Sequence, residues 1–253
     1  MKIYNVCTPT LGEPGLEKTI DSVQKQTYAF VKHTIVTDTE EGHDRVRTVL
    51  NNLKPERTLH YIMPEKVSYQ GQYRPEYLTS GMMHLVDYDY WQNLGTGDWI
   101  NPNHFALIDE IYKEHHPDWI FTLRNIWDKD GQFICRDIFE SIGFHPVWNT
   151  VDYLFVDGQS WCIPKKMAIK LCNVHRESRD LEQRTDKFVF DAFRNHYPNY
   201  VCTNQYTLNF KLNRGTDQQL EFAKQWYLGG YDDMLKRYPD QKFPWIKERK
   251  THV

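Results

Sequence analysis

The chain has 253 residues, with 31 Lys and Arg against 34 Asp and Glu for a formal charge of −3. Its length fits one domain or two, and no run of about 18 apolar residues is present to form a membrane span. A mean hydropathy of −0.71 also argues against a membrane span, and the near-neutral charge removes any global electrostatic case for nucleic-acid binding.

The elements in chain order point to a wound α/β sheet. Ile3–Thr10 reads as a strand, Leu16–Tyr28 as a helix and Thr34–Asp38 as a second strand with an acid at its end. Ligands of open α/β sheets sit beyond the carboxyl ends of the strands, so Thr8, Pro9, Thr10 and Asp38 are expected to face one crevice. Pro55–Gly71 is irregular, with a short strand at Leu59–Met63. A helix over Tyr77–Val86 and a strand over Tyr88–Leu94 follow. Pro102 is expected at the first position of another helix, with Asn101 as its cap. The apolar stripe Phe105, Leu107, Ile108, Ile111 and Tyr112 follows roughly helical spacing up to Pro117. Trp119–Leu123 is a strand, and Asp128-Lys129-Asp130-Gly131 a hairpin turn between Ile126 and Phe133. The order supports one sheet, with residues 1–205 as the domain and 206–253 as an extension packing on or covering the site. Gly229-Gly230 is the expected hinge of that extension.

Two stretches resemble the family-2 glycosyltransferases, nucleotide-sugar enzymes of GT-A fold. Leu16, Ile20, Ser22, Val23, Gln26, Thr27 and Tyr28 match, in order, the helix that follows the family's first strand. Leu94-Gly95-Thr96-Gly97-Asp98-Trp99, followed by Pro102, matches the frame of the family's L-D-x-D-D-W turn. Glycines stand where its two spaced carboxylates would be. The resemblance implies a single GT-A-like α/β domain with a mainly parallel central sheet flanked by helices. It implies an inverting glycosyltransferase that moves a sugar, expected from a UDP-sugar, to an acceptor hydroxyl. Thr8, Pro9, Thr10 and Asp38 would hold the nucleoside, Asp38 by accepting from the base. Arg74, Gly95, Thr96 and Gly97 would lie near the diphosphate.

A nucleoside diphosphate leaving group carries about two to three negative charges, which a carboxylate-bound Mg²⁺ or Mn²⁺ ordinarily neutralises. With Gly95 and Gly97 in place of the acids, three outcomes stand open. Asp98 holds the metal with a later ligand such as His196 or His252; Arg74, Lys211 or Arg214 replaces the metal; or the chain does not turn over. Asp98 is otherwise a turn residue satisfying backbone donors. Glycine would also let the backbone approach diphosphate oxygens closely.

The family's general base sits at a helix start, where Asp186 is the match and Glu182 the fallback. Such a base must come within about 2.6–3.2 Å of the acceptor hydroxyl; Asp186 also reads as a helix cap. Asp157, Gln159 and Trp161 are expected to contact the acceptor, Trp161 as a stacking face or as plain core. Five cysteines without a C-x-x-C pair read as buried thiols in a reducing cytoplasm. The absence of an N-terminal hydrophobic signal points the same way. Six Lys or Arg after residue 235 leave open an acceptor in DNA, a hydroxylated base gripped through phosphates. A sugar-nucleotide-binding protein without turnover is the non-enzymatic alternative. A nucleotidyltransferase would need cations after the first strand, and Leu11-Gly12-Glu13-Pro14-Gly15 has none.

Overall fold

The computed structural model describes residues 1–63, 68–69, 72–73, 75–141, 156–180, 185–213 and 215–243. In chain order the elements begin with β1 (Tyr4–Pro9), α1 (Leu16–Gln24), β2 (Val31–Thr37), α2 (Glu40–Leu53), β3 (Thr58–Ile62), β4 (Ser68–Tyr69) and β5 (Gln72–Tyr73). They continue with α3 (Pro75–Leu85), β6 (Tyr90–Asn93), β7 (Trp99–Ile100), α4 (His104–His115), β8 (Trp119–Trp127) and β9 (Phe133–Arg136). The chain then forms β10 (Trp161–Pro164), α5 (Lys165–Asp180), α6 (Thr185–His196), β11 (Tyr200–Lys211) and α7 (Asp217–Arg237).

The main sheet runs β3-β2-β1-β6-β10-β8-β11-β7, with β9 pairing off β8. It is mixed rather than purely parallel. β1 pairs in parallel with β2 on one side and β6 on the other, but β10 enters antiparallel between β6 and β8. β8 is parallel to β11, and β7 closes the edge antiparallel to β11.

The period-two alternation of strands sorts side chains onto two faces. On β8, Trp119 and Phe121 join a large cluster with Trp161, Phe190 and Phe193, while Ile120 packs on the other face with Phe105, Ile108 and Ile111 of α4. Cover on both faces explains why β8 reads as a nearly continuous apolar run. Leu16 and Ile20 of α1, one turn apart, meet Ile35 of β2 and Val46 of α2 in a third cluster. α2 leaves little trace in the sequence because Gly42 and Val46 are its only fully buried residues; Thr39 caps it by accepting from the Gly42 N–H at 3.0 Å.

Two local expectations are corrected. α4 begins at His104 rather than Pro102, and Asn101 does not cap it. The Asn101 side chain instead donates to the Tyr206 carbonyl and accepts from Asn209, tying the turn to β11. Gly229-Gly230 is not at a break but inside the continuous helix α7, which Thr216 and Gln219 start with a capping box. The Asp128–Gly131 hairpin forms as expected, Gly131 taking φ +81°. β11 passes through residue 205 as a single strand, so the sheet includes the first residues of the 206–253 segment. No described helix is long and apolar enough to cross a membrane.

The two glycines of α7 differ in surroundings. A Cβ on Gly230 would lie 2.4 Å from the Phe139 ring, whereas one on Gly229 meets nothing within 4 Å. Gly230→Ala should therefore destabilise by about 1–3 kcal/mol through overpacking. Gly229→Ala should be neutral or stabilise by up to about 1 kcal/mol through helix propensity. Urea unfolding of the two variants checks both signs, and equal effects would contradict this packing.

Candidate active site

The strand order, not the chain direction, reverses at β1, which lies parallel between β2 and β6; this is a topological switch point, and the carboxyl ends of the three strands meet there. Thr8, Thr10, Asp38, Thr96 and Asp98 all lie at this edge and are nearly inaccessible. Thr10 donates to Glu13 Oε2 at 2.6 Å and accepts from Thr96 at 2.8 Å and from the Gly12 N–H at 3.0 Å. Thr8 Oγ1 lies 2.9 Å from His33 Nε2. These hydroxyls brace the loop after β1 against the turn after β6.

That turn, Gly95–Asp98, is clamped from two sides. From α1, Thr19 donates to the Asp98 carbonyl at 2.7 Å and accepts from the Gly97 N–H at 3.0 Å. A Cβ on Gly15 would sit 3.0 Å from Gly97 Cα. From the end of β11, the Lys211 N–H donates to Asp98 Oδ1 at 2.7 Å, and Asn213 Nδ2 fills the space a Cβ on Gly97 would need, only 2.3 Å away. Gly97 also has φ +89°, a region side chains disfavour. Lys18, in the first turn of α1, holds its Nζ 3.0 Å from the centre of the Trp99 ring, with Trp127 beside it.

A buried polar chain supports the turn from beneath. Gly95 N–H donates to Gln159 Oε1 at 2.5 Å, and Gln159 N–H donates to Asp157 Oδ1 at 2.9 Å. Asp157 Oδ2 accepts from Arg124, a residue of β8 with 2 % exposure that also binds Asp137 at 2.7 Å and Glu140 at 2.6 Å. Tyr227 of α7 accepts from the same guanidinium at 3.0 Å and donates to Glu140. Burial works against the charge on Arg124, but Tyr227, Asp157, Asp137 and Glu140 outweigh it and hold the pKa above the ordinary value. Burial also raises Glu140, against the pull of Arg124.

The expected residues thus divide. Thr8, Pro9, Thr10, Asp38, Gly95, Thr96, Gly97 and Asp98 share one edge, and Asp157 and Gln159 reach it through the Gly95 hydrogen bond. Trp161, expected as a stacking face, is a core residue. Its indole N–H donates to the Val156 carbonyl at 2.8 Å and its ring packs against Phe193, since β10 lies in the middle of the sheet. Asp186 is the second residue of α6, but its side chain lies outside the described residues, as do Arg74, Glu182, Arg214 and His252. His196 is exposed at the far end of α6. Of the basic tail, Arg237 pairs with Asp233, while Lys247, Arg249 and Lys250 lie outside the described residues. Sequence reading missed Thr19, Asn213 and Arg124. A lone arginine inside the run Trp119–Trp127 was the available signal for the last.

No protein-family model and no curated protein sequence matches the chain. Solved structures do. TarS of S. aureus, residues 1–349 in complex with UDP-GlcNAc, superposes with a TM-score of 0.58 at 12 % identity, covering 86 % of this chain and 60 % of that one. Its complex with UDP gives a TM-score of 0.56 at 12 % identity over 98 % of this chain and 76 % of TarS. The mannosyltransferase PcManGT of Pyrobaculum calidifontis, in complex with GDP-Man and Mn²⁺, gives 0.54 at 9 % identity over 95 % of this chain and 76 % of that one. The fold is that of the GT-A glycosyltransferases. The chain spans about 60 % of the first of these neighbours.

In this GT-A fold the described residues do not fit a divalent ion. Hard cations take carboxylate oxygens, and glycines occupy two of the positions that would supply them. Asp98 is 3 % exposed and already engaged by the Lys211 N–H. No group of three or more His, Cys, Asp or Glu able to hold a metal exists among the described residues.

Removing Arg124 would leave three carboxylates near one another without their cation. Arg124→Met should cost about 3–5 kcal/mol of stability. Tyr227→Phe should cost less, about 1–3 kcal/mol. Equilibrium unfolding measures both, and a near-neutral Arg124→Met would contradict the network. Burial also pushes His33 and His104 down to about 3. His104 lies between Gln92 Oε1 at 2.9 Å and Thr207 Oγ1 at 2.7 Å, which suits a neutral ring. Below about pH 6.5 the unfolded chain takes up protons that the folded histidines refuse, so stability falls as pH drops from 6.5 toward 3. The two together contribute about 2.7 kcal/mol per pH unit in that window. His33→Gln should make the pH dependence shallower by about half that amount; an unchanged slope would contradict the neutral buried state.

Proposed function

We propose that the chain is a glycosyltransferase that moves a sugar from a nucleoside diphosphate donor, a UDP-sugar, to an acceptor hydroxyl with inversion. The observation that supports the reading is the convergence of the loop after β1, Asp38 and the Gly95–Asp98 turn at the switch point of a GT-A fold. The solved TarS structures of similar fold contain UDP-GlcNAc and UDP.

In this reading the nucleoside lies over Thr8–Thr10, with Asp38 accepting from the base. Gly95 carries no side chain, so the backbone of the turn can approach the diphosphate oxygens there, while Asn213 closes the space beside Gly97. Asp157 and Gln159 border the acceptor. Asp186, in the first turn of α6, takes the proton of the acceptor hydroxyl. The oxygen attacks the anomeric carbon from the side opposite the leaving group, and the electrons of the broken C–O bond pass to the diphosphate. Positioning donor and acceptor for in-line attack supplies much of the rate.

Nucleotide sugars tested one at a time should raise the melting temperature when they fit. A ligand at 100 times its Kd adds about 2.7 kcal/mol. With the sugar so identified, Asp186→Asn should lower transfer by at least about a hundredfold while donor affinity stays within about threefold. Equal loss of both would remove Asp186 from the role of base, and no shift with any nucleotide sugar would overturn the reading.

A further inference from the structure

We propose that the donor diphosphate is held by the ammonium groups of Lys18 and Lys211, in place of a divalent cation. This rests on the donor reading above and specifies how its charge is met. Relative to the family's turn, Gly95 and Gly97 remove two negative charges, and the diphosphate brings about two to three. Positive charge must come from elsewhere if that group is to leave.

The structure puts two cations where it is needed. The turn lies between α1 and the end of β11, through Thr19 on one side and through Lys211 N–H and Asn213 on the other. Lys18 neighbours Thr19 on α1, and Lys211 is the last residue of β11. Neither ammonium forms an ion pair among the described residues. They lie near enough that, after partial burial, the charge of Lys211 is what lowers Lys18 from the ordinary lysine range. Two like charges facing each other without an anion are destabilising, and an anion between them removes that cost. The Trp99 ring under Lys18 fixes the ammonium beside the turn without neutralising it, as a carboxylate would. Glu13 is occupied by Thr10 and the Leu11 N–H, and Asp98 by the Lys211 N–H, so neither nearby acid is placed to pair with the two lysines. Asn213 seals the volume next to Gly97 where a metal-binding carboxylate would project.

Calorimetric titration of UDP and of uridine into the full chain tests this, in EDTA and with added Mn²⁺. UDP should bind in EDTA, and Mn²⁺ should change its Kd by less than about threefold. Lys18→Met and Lys211→Met should each weaken UDP roughly tenfold or more, as expected for losing a charge-assisted contact. Uridine, which lacks phosphates, should bind the variants as it binds the parent, which also reports that they fold. Lys18→Arg and Lys211→Arg should keep most of the UDP affinity. UDP binding that appears only with Mn²⁺, or that survives the double methionine variant unchanged in EDTA, would overturn the proposal. Failure of both UDP and uridine to bind the parent chain under either condition would overturn the donor reading and this proposal with it.

Discussion

The backbone at Gly15 passes so close to Gly97 that a Cβ on Gly15 would sit 3.0 Å from Gly97 Cα, and Asn213 takes the space a Cβ on Gly97 would need. This contact fixes where the first turn of α1 stands relative to the turn after β6. It brings Thr19 into hydrogen-bond range of Gly97 and Asp98, and it sets Lys18 over Trp99. A larger residue at Gly15 would push the two elements apart, and one at Gly97 would displace Asn213.

A polar chain links the turn after β6 to α7. Gly95 is held by Gln159, Gln159 by Asp157, Asp157 by Arg124, and Arg124 by Tyr227 of α7. A guanidinium with 2 % exposure is tolerable only because three carboxylates and a phenol satisfy its donors. Burial first, and then the neighbouring Asp137, raises the Glu140 pKa, against the pull of Arg124 and of the hydrogen bond from Tyr227. The helix that follows β11 is thus coupled to the turn at the switch point through bonds that cannot be loosened singly without leaving a charge unmatched.

Among the described residues, no group of His, Cys, Asp or Glu able to hold a metal forms at this edge. Glu13 and Asp98 are engaged by hydroxyl and backbone donors, and Lys18 and Lys211 stand without carboxylate partners among the described residues. The fold is shared with glycosyltransferases solved with nucleotide sugars, at identities of 9 to 12 %. Such a fold provides the crevice; the local residues decide the chemistry within it.

What the sequence by itself determined is the part written in local pattern. The β1-α1-β2 unit, the α4 stripe, the apolar run of β8 and the hairpin at Gly131 all follow from periodicity and turn chemistry, and each forms where expected or within a few residues. The clustering of Thr10, Asp38 and Asp98 at one edge was legible because Thr10 and Asp38 directly follow strands and Asp98 lies in the turn after a third. The position of Trp161 was not: whether an indole near a strand start faces a ligand or the core depends on β10 entering antiparallel between β6 and β8, a pairing between residues far apart in the chain. Arg124 meets partners 13 to 103 positions away, and Gly97 meets Asn213 across 116. Contacts of that range carry no local periodicity. Only the tertiary structure could decide them, because burial and charge compensation exist only once the sheet has closed around them.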